Sequence, residues 1–232
     1  ASTLLRRLWQ PRYDNGMTEI PIQSTKAAYT TALIFAILVG PLILADGLTL
    51  GWFRSVDLPG DLVKLIEITE AFAHGFGVIL ILLAVWLLDP LGRVHFPLLI
   101  AATIGTAIPV HFLKRFIGRM RPSAMATAEN FEGSFFGICP WLDRGTAALS
   151  DASIQSFPSG HAALAVALAW GLATRYPQAR WYFATLAFGA GMQRVISGAH
   201  FPSDVVAGAA IGSLTFAVCS DPKLFGRWLR RS

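Results

Sequence analysis

Hydrophobic residues run along this chain in long blocks, with polar and turn-forming residues confined to the gaps. Six blocks stand out, at 27–50, 70–88, 96–117, 159–176, 181–196 and 204–219. A helix needs about 17–25 apolar residues to cross the hydrocarbon layer, so the pattern predicts membrane spans. Pro41 lies inside the first block and is tolerated in a membrane helix. The second block stops at Asp89-Pro90-Leu91-Gly92, a turn signal. Between the third and fourth blocks, residues 119–157 are rich in Ser, Gly, Pro and aromatic residues and read as a loop. The expected fold is all-α, an integral membrane six-transmembrane-helix bundle. A 1–26 cytoplasmic arm precedes the 27–220 six-span domain, and a basic 221–232 tail follows it.

Composition agrees with this reading. The 232 residues are 54% hydrophobic and 14% charged, against about 25% charged in soluble domains. The net charge of +5 fits basic loops on the cytoplasmic side together with an anion-binding cluster, and no nucleic-acid partner is expected. With both termini in the cytoplasm, eleven of the 19 Lys and Arg fall inside and eight outside. Five of those eight lie in two basic segments that have a chemical use. Cys139 and Cys219 fall on opposite sides and are not expected to pair. No short apolar core with a cleavage site precedes the first block, so no removable signal peptide is expected. The arm around Trp9 reads equally well as an interfacial helix or as unstructured chain.

If six spans alternate, three polar segments meet at one membrane face. The first runs Lys114-Arg115-Phe116-Ile117-Gly118-Arg119-Met120-Arg121-Pro122. Lys114 and Arg121 are two helical turns apart, so a continuing helix would show both on one face. The second is Ser156-Phe157-Pro158-Ser159-Gly160-His161, a turn opening a helix whose free N–H groups suit an anion. The third runs from Arg194 to Asp204. It places His200 four residues before Asp204, so one helical turn would let the carboxylate orient the imidazole. Taken singly, each segment also reads as an interfacial anchor or a helix cap. Together they supply three cations, two helix N-termini, two histidines and one carboxylate. No set of Cys, His or carboxylates suggests a metal, and no cofactor is expected.

These motifs resemble the type 2 phosphatidic acid phosphatase superfamily. Its pattern is a Lys, six residues, then Arg-Pro; a Pro-Ser-Gly-His; and an Arg, five residues, His, three residues, Asp. Here they stand in order as Lys114 to Arg121-Pro122, Pro158 to His161, and Arg194 to His200 to Asp204. One position departs, since the family commonly has Ser where this chain has Gln193. The resemblance implies a metal-independent phosphatase in which His200, oriented by Asp204, attacks phosphorus to form a phosphohistidine. His161 would protonate the leaving oxygen and then activate water, while Lys114, Arg121, Arg194, Ser159 and Gly160 hold the phosphate.

Glu70, His74 and Gln193 are candidate accessory residues, whereas His111 and His95 read as structural. The 119–157 loop, with Phe131, Phe135, Phe136 and Trp141 beside Glu129 and Glu132, reads as a lid or headgroup wall. The expected substrates are undecaprenyl pyrophosphate, phosphatidylglycerol phosphate, phosphatidic acid or lipid A 1-phosphate. Expected partners are that lipid and the bilayer, with no obligate protein. The expected place is a bacterial inner membrane, with the site on its periplasmic face. The alternatives are a vanadate-dependent haloperoxidase-like enzyme, or a non-catalytic lipid-phosphate binding or transport protein.

Overall fold

The computed structural model describes residues 22–125 and 134–225. α1 (Ile22–Ser55) starts before the expected position 27 and passes Pro41 without ending. The second expected span is bent. α2 (Gly60–Ile68) and the 3-10 turn Thr69–Phe72 meet α3 (Gly75–Leu88) at 66°. The break falls at His74, which is extended (φ −88°, ψ 134°) and precedes the first turn of α3.

α4 (Phe96–Gly105) and α5 (Ala107–Phe116) follow one another, with only Thr106 between them. Past the short α6 (Trp141–Arg144) come α7 (Gly160–Arg175), α8 (Arg180–Ile196) and α9 (Pro202–Ser220).

Among the described residues three stretches, Gln23–Thr49, Gly92–Phe116 and Pro202–Ser220, are long and apolar enough to cross a membrane. The bent pair makes four if it is one span. α7 and α8 have 16 and 17 residues, a rise of about 24–26 Å against about 30 Å of hydrocarbon. By length, then, the structure gives three or four spans where hydropathy alone predicted six. The outward faces are apolar, as a lipid-facing surface requires: Leu44, Leu48, Leu88 and Ile108 are all strongly exposed.

One expected helix is shorter than the pattern implied. α5 ends at Phe116, and β1 (Ile117–Arg119) pairs antiparallel with β2 (Phe135–Ile138), Ile117 opposite Ile138. Lys114 and Arg121 therefore do not share a helical face. The switch rests on tertiary contacts: Cys139 N–H donates to the Phe116 carbonyl at 2.8 Å, and Gly118 lies against the Pro140 ring.

α9 is the central helix, packed along α1 and α7. Up to Ser213 its buried side chains are small: Ser203, Asp204, Ala207, Gly208, Ala209, Gly212 and Ser213, before Phe216 fills the far end. Small side chains let helix backbones approach closely in a membrane. A Cβ on Gly208 would lie 2.2 Å from the Ser159 carbonyl oxygen, so α9 presses directly on the start of α7.

The opposite end of the bundle is tied separately. Thr25 and Ser220 hydroxyls lie 3.0 Å apart. Asp89 accepts from Arg175 at 2.8 Å, from the Tyr176 hydroxyl at 2.9 Å and from Gly92 N–H at 2.9 Å.

Candidate active site

The three polar segments are joined by their backbones before any side chain acts. Arg121 N–H donates to Ser153 O at 2.8 Å, and Ser156 N–H to Arg119 O at 3.0 Å. Ser123 N–H donates to Gly198 O at 2.8 Å, and Ser159 N–H to Asp204 O at 2.9 Å. The turn after α8 closes where Ala199 and His200 N–H both donate to Arg194 O, at 3.1 and 3.0 Å. Gly198 makes this possible with φ +67°, a conformation costly for any residue with a Cβ.

The result is a cavity of 470 Å³. Lys114, Arg121, Arg194, Gly160, His161 and His200 from the three motifs line it together. His74 lines it too, its ring 6.2 Å from that of His161. So does His111, which sequence alone had read as structural. Ala73, Ala107, Val110 and Leu164 give the cavity an apolar wall.

Two of the cations are held by neighbours. Lys114 Nζ donates to Gln155 O at 2.6 Å. Arg194 donates from Nη2 to Glu70 at 2.6 Å and from Nε to the Gln193 side-chain oxygen at 2.5 Å. Gln193 thus braces Arg194, and Glu70 reaches it from the bend between α2 and α3. Arg121 differs, because its buried Nε has no hydrogen-bond partner among the described residues. Burial and then the charge of Arg194 push its pKa below the ordinary arginine value. An anion between these cations would relieve both effects.

Ser159 is fully buried and does not line the cavity, and its hydroxyl accepts from Ala162 N–H at 3.4 Å as the N-cap of α7. His200 precedes α9 and Asp204 sits in its first turn, so the pair is not within one helix. His200 Nδ1 lies 3.7 Å from Asp204 Oδ2, longer than a hydrogen bond. Nδ1 has no other partner among the described residues, which leaves Nε2 for the cavity. Burial lowers the His200 pKa; the charges of Lys114 and Arg121 act in the same direction and Asp204 opposes them.

Behind Asp204 stands a residue that the motif reading passed over. Arg119 is completely buried, with its guanidinium 4.0 Å from the Phe201 ring centre and 4.3 Å from that of Phe135. It donates to Asp204 Oδ1 at 2.5 Å, to Ser203 Oγ at 2.7 Å and to Asp46 Oδ2 at 2.7 Å. Asp46, fully buried on α1, also accepts from the Ser203 hydroxyl and from Ser203 N–H. Asp204 Oδ2 accepts from Ser156 Oγ at 2.6 Å and from Phe201 N–H at 2.9 Å. The available signal was a lone Asp inside an apolar block, since such residues are rare and paired.

Of the expected lid, Glu129, Phe131 and Glu132 lie outside the described residues. Phe135 covers Arg119, Phe136 lies under Arg144, and Trp141 packs edge-on against Phe116.

The chain is similar to a lipid A 1-phosphatase of Rhizobium etli, 34% identical over 114 residues, covering 49% of this chain and 44% of that protein. A lipid A 1-phosphatase of Rhizobium johnstonii is 36% identical over 103 residues, covering 44% of this chain and 37% of the relative. The chain therefore spans less than half the length of these relatives. Its fold is similar to the crystal structure of Aquifex aeolicus LpxE, with a TM-score of 0.55 and 22% identity over 72% of this chain and 90% of that one. The family model for the PAP2 superfamily matches residues 95–221, which hold all three motifs with His161 and His200, and the chain belongs to that superfamily.

Proposed function

We propose that this protein is a membrane phosphatase that removes phosphate from a lipid through a phosphohistidine on His200. The observation that carries the reading is one cavity faced by His161, His200 and the cations Lys114, Arg121 and Arg194. Phosphoryl transfer is catalysed mainly by positioning and by neutralising charge on the nonbridging oxygens. Here the three cations and the Gly160 N–H at the start of α7 are the groups available for that task.

His200 Nε2 attacks phosphorus while Asp204 faces Nδ1. The bond from phosphorus to the lipid oxygen breaks, and His161 gives that oxygen a proton. His161 then takes a proton from water, which attacks the phosphohistidine and frees inorganic phosphate and His200. The protein's own cations carry the electrostatic work, so we expect turnover without a divalent metal. The apolar outer faces and the apolar cavity wall support a lipid substrate. The apolar outer faces weigh against a haloperoxidase-like enzyme, and the presence of His161, His200 and Asp204 weighs against a purely binding role.

The substrate class is a lipid phosphomonoester or diphosphate: lipid A 1-phosphate, phosphatidic acid, phosphatidylglycerol phosphate or undecaprenyl pyrophosphate. We place the site on the periplasmic face of a bacterial inner membrane, with six crossings and both termini cytoplasmic. α7 and α8 would then cross with local thinning of the bilayer or with help from flanking residues.

The test is release of inorganic phosphate from these four lipids in detergent with EDTA present. Wild type should turn over at least one. His200→Ala should fall at least 10³-fold, the scale of removing a nucleophile. Full activity in His200→Ala, or turnover abolished by EDTA, sinks the mechanism.

A further inference from the structure

We infer that Asp46 and Arg119 are positioning residues that set the strength of the His200–Asp204 pair, although neither reaches the cavity. This rests on His200 acting as proposed above. The geometry is a chain of contacts: Asp46 holds one end of the Arg119 guanidinium at 2.7 Å, and Asp204 holds the other at 2.5 Å. Ser203 links Arg119 to Asp46, accepting from the guanidinium and donating to the carboxylate. All four side chains are fully buried, and Arg119 is further fixed between two aromatic rings.

Two carboxylates sharing one guanidinium leave one net negative charge, and Asp204 is the member of the cluster that faces His200. That charge stabilises the imidazolium character which develops when Nε2 bonds phosphorus. Without Asp46, Arg119 would belong to Asp204 alone and neutralise it. Asp46 thus acts at a distance, by dividing the attention of Arg119. A fully buried carboxylate on the first long apolar helix is costly unless paired, and this pairing gives it a use.

The groups that face His200 are Lys114 from α5, Arg121 after β1, His161 from α7, Arg194 from α8, His74 and His111 across the cavity, and Asp204 from α9. Most are cationic or neutral, so the negative charge on Asp204 is the main one opposing them. A change in that charge is therefore read directly in His200.

The experiment is Asp46→Asn, which keeps the shape and an acceptor for Arg119 and Ser203 but removes the charge. We expect kcat to fall about tenfold with KM within about twofold, because the substrate does not touch this cluster. The acid limb of kcat/KM against pH should move down by about one unit, since the imidazolium loses support. An unmoved acid limb with unchanged activity per folded molecule overturns the inference, as does a loss that follows only the amount of folded protein. If Asp46→Asn does not fold, Asp46→Ser, smaller and likewise uncharged, carries the test with the same readouts, and an unmoved profile there overturns the inference equally. A wild type that releases no phosphate would break the activity reading instead. The inference is then decided by NMR titration of His200 in histidine-labelled protein, where Asp46→Asn must lower the midpoint and an equal midpoint overturns it.

Discussion

Gly208 connects packing to chemistry at a single atom, so its replacement by Ala is a sharp test. The added Cβ would lie 2.2 Å from the Ser159 carbonyl oxygen and 3.1 Å from the Ala162 Cβ. The first is a backbone contact, far below the 3.0 Å that real Cβ atoms respect, so no rotamer change relieves it. α9 must withdraw from α7 by about 1 Å, because closely packed interiors cannot absorb such an overlap otherwise. Asp204 lies one turn earlier on α9 and moves with it. The bond from Ser159 N–H to Asp204 O, now 2.9 Å, stretches, and the gap of 3.7 Å between His200 and Asp204 shifts. Misplacement by about 1 Å costs catalysis about 10²-fold, while overpacking costs stability about 1–3 kcal/mol.

The assay is kcat for phosphate release in detergent beside the thermal midpoint of the same sample. Gly40→Ala is the control: it lies on α1 with nothing within 4 Å of the added carbon, and helix propensity predicts a gain of up to about 1 kcal/mol. If Gly208→Ala kept kcat within threefold of wild type, or if Gly40→Ala lost as much, the link between this contact and the site would be refuted.

Two further outcomes are expected. Glu70 holds Arg194, and on the proposed role of that arginine it would compete with phosphate, so inorganic phosphate should inhibit Glu70→Gln at about fivefold lower concentration; weaker inhibition would make Glu70 a necessary brace. At the far end, burial raises the Asp89 pKa, but Arg175, Tyr176 and Gly92 N–H together bring it below 3.8. Its stabilisation is therefore present above the unfolded value of about 3.9 and lost as pH falls through the lower folded value. Asp89→Asn should lower the thermal midpoint at pH 7, shrink the further drop on acidification towards pH 3, and leave kcat intact. An equal acid drop in both proteins would contradict the assignment.

Much of this protein was written locally in its sequence. Pro158-Ser159-Gly160-His161 predicts a capped helix start, and Ser159 caps α7. Pro202 predicts the start of α9, which begins there. The three motifs named the cations and histidines that line the cavity. These features depend on nearest neighbours, where propensity and spacing are decisive.

What the tertiary structure decided lies between segments distant in sequence. Lys114 and Arg121 converge through a strand paired with 135–138, not through a helix. The bend at His74 sets Glu70 against Arg194, and Gln193, a candidate accessory residue, braces that arginine. Asp46 in an apolar run and Arg119 in a basic one each had a bland local explanation. Only packing α1 and β1 together against the start of α9 brings them into contact, because an ion pair has no period and leaves its partner unnamed until the elements meet.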